Sequence, residues 1–142
     1  MKIYKLKKYG SLFVTRCFVQ GPYGKHFPRL LIDTGSTYTI LAPEISESIG
    51  CSPTSFSRKV HIATASGYEF IPEVKVERFD CLGESLIPFS LFIHSMPFGS
   101  YLDGVLGMDF MTKFNFVFKT KSGQIFNAKD SNKILEDFGE YN

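Results

Sequence analysis

No stretch of the 142 residues is apolar for the length that a bilayer crossing requires. The amino terminus, MKIYKLKKYG, carries no apolar run of signal-peptide length either, so the chain is expected to be soluble and cytoplasmic, without a membrane partner. Three cysteines, Cys17, Cys51 and Cys81, are odd in number and widely spaced, which gives neither a disulfide framework nor a thiolate metal site. No Asn-x-Ser/Thr sequon occurs. An excess of one charge is missing too: Lys and Arg total 16 against 14 for Asp and Glu, and that balance removes the reason to expect a nucleic-acid partner. The one basic concentration, Lys2, Lys5, Lys7 and Lys8, reads as a solvated strand with edge lysines. His26, His61 and His94 are scattered without metal-ligand spacing, and the glycines near 99–107 do not precede Lys-Ser/Thr as a phosphate loop requires. No metal and no cofactor is expected.

What is present is strand chemistry. Hydrophobic residues make up 44% and aromatics 15%, enough for a folded core. Val, Ile, Phe, Tyr and Thr recur in short runs broken by Gly, Pro, Ser and Asp. The pattern predicts strands over 2–9, 11–20, 27–32, 37–41, 58–64, 68–78, 86–93, 115–119 and 124–128, with turns at Gly21-Pro22-Tyr23-Gly24, Ala65-Ser66-Gly67 and Lys121-Ser122-Gly123. A short helix is expected between Pro43 and Gly50, with Ile45 and Ile49 on one face. A second is expected from Asp109 to Phe114, and a third in the tail, with Ser131 as N-cap and Gly139 as stop. Residues 95–100 read as loop. Cys17 and Cys81 sit in apolar strand contexts and read as packed small side chains, Cys51 as exposed and unactivated. Phe114, Phe116 and Phe118 alternate along one strand face, as core or as an interface.

The chemistry is concentrated in Leu30-Leu31-Ile32-Asp33-Thr34-Gly35-Ser36-Thr37. An apolar strand ending in Asp delivers a carboxylate from a buried layer, where its charge must be hydrogen-bonded or shared. Thr34 and Ser36 offer hydroxyls, and Gly35 allows a tight turn. Asp-Thr-Gly is also an ordinary turn composition. Downstream, Val105-Leu106-Gly107 followed by Met108-Asp109-Phe110-Met111 fits a buried strand that turns sharply into a short helix.

Together these stretches resemble the retropepsin-like aspartic protease family. The run into Asp33-Thr34-Gly35-Ser36 is similar to its active-site motif and Val105-Leu106-Gly107 to its apolar-apolar-Gly motif. Thr64-Ala65-Ser66-Gly67 is similar to the Thr-Ala-x-Gly hairpin of bacterial-type members, where the family carries its flap. The resemblance covers residues 3–128 and leaves a tail over 130–139. It departs from the retroviral enzymes where Met108-Asp109 stands in place of their Arg, and where the flap holds one Gly.

The resemblance implies a mainly β, closed barrel-like acid-protease fold with two or three short helices, and one domain over 1–142. It also implies an active site on the two-fold of a homodimer. Asp33 would be the catalytic carboxylate of a peptide-hydrolysing enzyme acting on a peptide or protein substrate. Thr34 would bond across to the partner chain, Gly35 would position substrate and dyad, and Ser36 would bond the outer carboxylate oxygen. Leu31, Tyr38, Ala63, Tyr68, Phe98, Tyr101 and Val105 are the candidate pocket residues. Asp103, in a loop, and Asp109, at a helix start, are not expected to be catalytic. Two other readings stay open: a catalytically silent dimer of the same fold serving as a binding or scaffold module, and an unrelated small β-barrel binding module in which the triplet is coincidental.

Overall fold

In the computed structural model, residues 2–97 and 101–129 are described. The predicted tail helix, with Ser131 and Gly139, and the candidate pocket residue Phe98 lie outside them. The chain is mainly β. In order it runs β1 (Tyr4–Lys5), β2 (Lys7–Tyr9), β3 (Leu12–Arg16), β4 (Phe18–Gly21), β5 (Gly24–His26), β6 (Arg29–Ile32), β7 (Ile40–Leu41) and helix α1 (Pro43–Ser48). It continues through β8 (Lys59–Thr64), β9 (Gly67–Val76), β10 (Arg78–Cys81), β11 (Glu84–Leu86), β12 (Phe89–Ile93), β13 (Gly104–Leu106), α2 (Met108–Met111), β14 (Phe116–Lys119) and β15 (Gln124–Asn127).

These strands make three sheets, ordered β2-β3-β6-β13-β7-β12-β9-β8, β11-β10-β4-β5 and β1-β15-β14. The sheets are not closed into the expected barrel. The reason lies in strands that break where one continuous strand was predicted. The run 2–9 breaks at Leu6, whose N–H donates to the Gly123 carbonyl, and 11–20 breaks at Cys17, whose N–H donates to the Pro28 carbonyl. Both residues are buried. Each break turns an apolar side chain into the core and sends the two halves of a run to different sheets: β1 pairs with β15, β2 with β3, and β4 with β10. The run 68–78 breaks likewise at Glu77, whose N–H goes to Gln20.

The first helix is as predicted, with Pro43 in its first turn, Ile45 and Ile49 buried, and Gly50 just beyond at φ +81°. The second is one turn, Met108–Met111, shorter than the predicted 109–114. Only Ile40 and Leu41 of the predicted 37–41 strand are in a sheet, because Thr37 and Thr39 direct their backbone bonds to α2 and β12.

Leu30, Leu91, Leu106, Phe79 and Phe110 are fully buried and belong to one cluster. The Phe79 ring packs on Phe89 and Phe110 at centroid distances of 5.0 and 5.5 Å. Each such side chain contributes about 1.5–3 kcal/mol by leaving water. Within this core Cys17 and Cys81 are joined as a disulfide, contrary to the expectation of separate packed thiols. The pairing of Asp80 with Phe18 in the antiparallel β4–β10 ladder places Cys81 opposite Cys17 at the next step, Cα atoms 4.6 Å apart, the spacing of a non-hydrogen-bonded cross-strand pair. Cys51, expected to be exposed, is buried. Burial pushes its thiol pKa up, and the charge of Glu77 adds to the effect.

Candidate active site

The eight-stranded sheet builds the site by interleaving two distant segments. β13 lies between β6 and β7, parallel to the first and antiparallel to the second. Its register sets Val105 beside Leu31 and Leu106 beside Ile32. The next step brings Asp33, whose N–H donates to the Leu106 carbonyl at 3.1 Å. The two stretches singled out by sequence are therefore neighbours, and Asp33 leaves the sheet at their junction.

There the chain turns. Ser36 N–H donates to the Asp33 carbonyl at 3.1 Å, and Gly35 N–H donates to Asp33 Oδ1 at 2.9 Å. A Cβ on Gly35 would stand 3.3 Å from that oxygen, so the close approach calls for glycine. The Ser36 hydroxyl, expected on the outer carboxylate oxygen, donates instead to the Tyr38 carbonyl at 2.8 Å. A hydroxyl has one proton to give, and here it braces the loop. Thr34 is exposed.

Below the loop, Gly107 fits against it so closely that an added Cβ would overlap the Tyr38 carbonyl. Met108 N–H donates to the Ser36 carbonyl at 2.8 Å and Asp109 N–H to that of Thr37 at 3.1 Å. Thr39, buried to 1% exposure, is the centre of this contact. Its hydroxyl donates to Asp109 Oδ1 at 2.6 Å and accepts from Gly107 N–H at 3.1 Å, while its own N–H donates to Asp109 Oδ2 at 2.9 Å. Asp109 thus clamps the loop. Asp103 is equally committed: it accepts from the Arg29 backbone N–H at 2.9 Å and lies 3.5 Å from the Nε of that residue's guanidinium. Sequence reading passed over Thr39, because one hydroxyl in Thr37-Tyr38-Thr39-Ile40-Leu41 looks like ordinary strand composition.

A cavity of about 560 Å³ opens in front of Asp33, lined by Gly35, Ser36, Thr37, Tyr38, Ile40, His61, Ile62, Ala63, Pro97 and Val105. Tyr38, Ala63 and Val105 were expected there. Leu31, Tyr68 and Tyr101 are not among the lining residues. Tyr101 stacks on Tyr9 at 4.7 Å with the Arg29 guanidinium over its ring, and Tyr68 is exposed on the hairpin, edge-on to His61. Ile40, His61, Ile62 and Pro97 were missed.

The predicted flap is the β8–β9 hairpin, paired from Lys59 with Pro72 up to Thr64 with Gly67. Its tip is Ala65-Ser66, where the Thr64 hydroxyl donates to the Gly67 carbonyl at 2.9 Å. The strand below the tip lines the cavity, while Thr64 to Gly67 themselves stand beyond it. Among the described residues no three His, Cys, Asp or Glu side chains gather to hold a metal ion, and no helix is long and apolar enough to cross a membrane.

Comparison with known proteins agrees with this geometry. Residues 23–113 match the family described as "gag-polyprotein putative aspartyl protease". A search of curated protein sequences finds no match. Among solved structures the chain is similar to a retropepsin-like aspartic protease from Rickettsia conorii, with a TM-score of 0.63 and 15% identity over 87% of this chain and 89% of that one. It is similar to the EIAV protease complexed with the inhibitor HBY-793, at 0.55 and 15% over 78% and 91%. The retroviral protease-like domain of Ddi1 from Leishmania major gives 0.55 and 13% over 90% and 91%. With an apolar strand delivering Asp33 beside Val105-Leu106-Gly107 and a hairpin above them, this chain belongs to the gag-polyprotein aspartyl protease family and has the retropepsin-like fold.

Proposed function

We propose that the chain is a single-domain aspartic endopeptidase that works as a homodimer, with one water held between Asp33 and its symmetry copy. The observation that carries this reading is the solitude of Asp33. Among the described residues it is the one carboxylate lining the cavity, and Asp103 and Asp109, beside the second motif, are taken by Arg29 and Thr39. Peptide hydrolysis by this chemistry uses two carboxylates about 3 Å apart that share one proton. The ionised member takes a proton from water while the other donates to the scissile carbonyl. A closed two-fold supplies the second carboxylate from an identical surface.

The side of the loop away from the flap supports such a partner. Exposed Thr34 borders a groove of about 270 Å³ whose lining is mostly apolar, Met108, Met111, Phe114, Phe116 and Phe118 beside Thr112 and Asn115, a surface of the kind that a second subunit covers. In this reading Thr34 bonds across to the partner and Gly35 presents its backbone to substrate. Thr64, Ala65, Ser66 and Gly67 close over the bound peptide. Tyr38, Ile40, Ile62, Ala63, Pro97 and Val105 favour apolar side chains beside the scissile bond.

The test is a peptide-library digest with wild type and Asp33→Asn, run beside sedimentation. Wild type should cleave with a bell-shaped pH profile whose maximum is acidic, since one shared proton is needed, and should sediment as a dimer. Equal cleavage by the two proteins, or full activity in a stable monomer, would overturn the reading.

A further inference from the structure

His94 follows the last residue of β12, and its N–H donates to the Leu41 carbonyl at 3.2 Å. The β9–β12 ladder pairs Phe92 with Glu73. Continued by two steps, that register sets His94 opposite Ile71 and diagonal to Glu69, a distance long side chains can span. The ring is held from both sides. Nδ1 lies 2.6 Å from the Ser95 carbonyl oxygen and Nε2 lies 3.0 Å from Glu69 Oε2. Glu69 belongs to the flap hairpin, paired with Ile62 two residues past Gly67. Pro97, three residues beyond His94, lines the cavity in front of Asp33. One contact thus joins the roof of the cleft to its side wall.

Both partners of the ring are acceptors. A carbonyl oxygen only accepts, and so does an ionised carboxylate. The two contacts coexist only while each ring nitrogen carries a proton, or while the carboxylate carries one. The Ser95 carbonyl, the nearer acceptor at 2.6 Å, keeps the remaining proton on Nδ1, so deprotonation sets the Nε2 lone pair against the Glu69 carboxylate and that contact opens. Among the described residues, the elements packed around the ring bring no competing charge into it. β7 contributes Ile40 and Leu41, and β8 sets Ile62 opposite Glu69. His61 lies on the other hairpin face against Tyr68 and Phe70, and Glu73 is held by Arg58 at 2.9 Å.

We propose that His94 is a positioning residue acting through Glu69: a proton-dependent latch that holds the flap against the cleft wall in acid and frees it as pH rises. Its effect on catalysis rests on the protease reading, but the latch itself is measurable without turnover. Amide hydrogen exchange over residues 62–68, corrected for intrinsic rates and referred to the β6 amides, reports flap opening. Three proteins suffice: wild type, Glu69→Gln and His94→Leu. Glutamine offers both an N–H and a carbonyl, so it can bond a neutral imidazole that still donates to Ser95.

Wild-type flap opening should rise about threefold from pH 5 to pH 8, the scale of a partly exposed ion pair. Glu69→Gln should stay protected at both values, and His94→Leu should be open at both. KM for a cleaved peptide should follow the same order with kcat little changed. An unchanged pH response in Glu69→Gln, or none in wild type, would overturn the latch. Wild type that fails to cleave yet shows the exchange pattern would remove the protease reading and keep the latch. Cleavage without the pattern would do the reverse.

Discussion

Asp33 stands where three interior strands of an eight-stranded sheet meet, whereas the flap tip at Ala65 and Ser66 ends a hairpin whose outer strand, β8, is the sheet edge. Around Asp33 the backbone is fixed by Leu106, Gly35 and Ser36, and the loop is pinned from below by Thr39, Gly107 and Asp109. At the tip the bonds are local, from Thr64 to Gly67 and Ser66, and Tyr68 and Phe70 face water. Under the proposed function, the carboxylate gains from being over-determined, since small displacements are costly in rate. Under the same proposal, a roof that admits a peptide gains from few tertiary contacts, which let it open at low free-energy cost.

Four substitutions break or sharpen this contrast. Asp33→Asn should lower kcat/KM by about 10³-fold or more, with dimer formation preserved in sedimentation, because the change removes chemistry and leaves the sheet intact. Gly107→Ala drives a methyl into the Tyr38 carbonyl and should cost about 3 kcal/mol in urea unfolding. A loss under about 0.5 kcal/mol would mean that the loop yields and that the floor is not rigid. Thr39→Val leaves Asp109 and the Gly107 N–H without their shared hydroxyl and should cost about 2 kcal/mol by the same measurement. Tyr68→Ser, on the exposed hairpin face, should change stability by less than about 0.5 kcal/mol. A larger loss there would show that the flap is packed in solution against something it does not touch in this chain alone.

The same contrast governs what could be read from sequence. Asp33-Thr34-Gly35 and Val105-Leu106-Gly107 were legible because their chemistry restricts the residue types: a carboxylate at a strand end, and a glycine where backbones nearly touch. The hairpin at 58–78 was legible from alternation and its Gly67 turn. Thr39 was not, since its role exists only once Asp109 is folded beneath it. Ser36 bonds the Tyr38 carbonyl and not the carboxylate, a local partner that exists only once the loop after Asp33 has turned. The breaks at Leu6 and Cys17 carry no Gly or Pro to announce them. The pairing of Cys17 with Cys81 depends on the register of β4 against β10, which no local pattern encodes. His61 and Pro97 entered the cavity wall through tertiary placement alone.

The insertion of β13 between β6 and β7 also has a bearing on how the protein is made. Strands β6 and β7 are synthesised before β13 and have no ladder with each other; their shared partner is Gly104–Leu106. Until that segment emerges, facing N–H and C=O groups of both strands lack a strand to bond, and the Asp33 loop lacks the Leu106 carbonyl beneath it. Such long-range closure is slow compared with local pairing. A growing chain that stops short of Gly104 therefore carries the whole triplet but none of the floor that shapes it, so the Asp33 site takes its form only after β13 has been made.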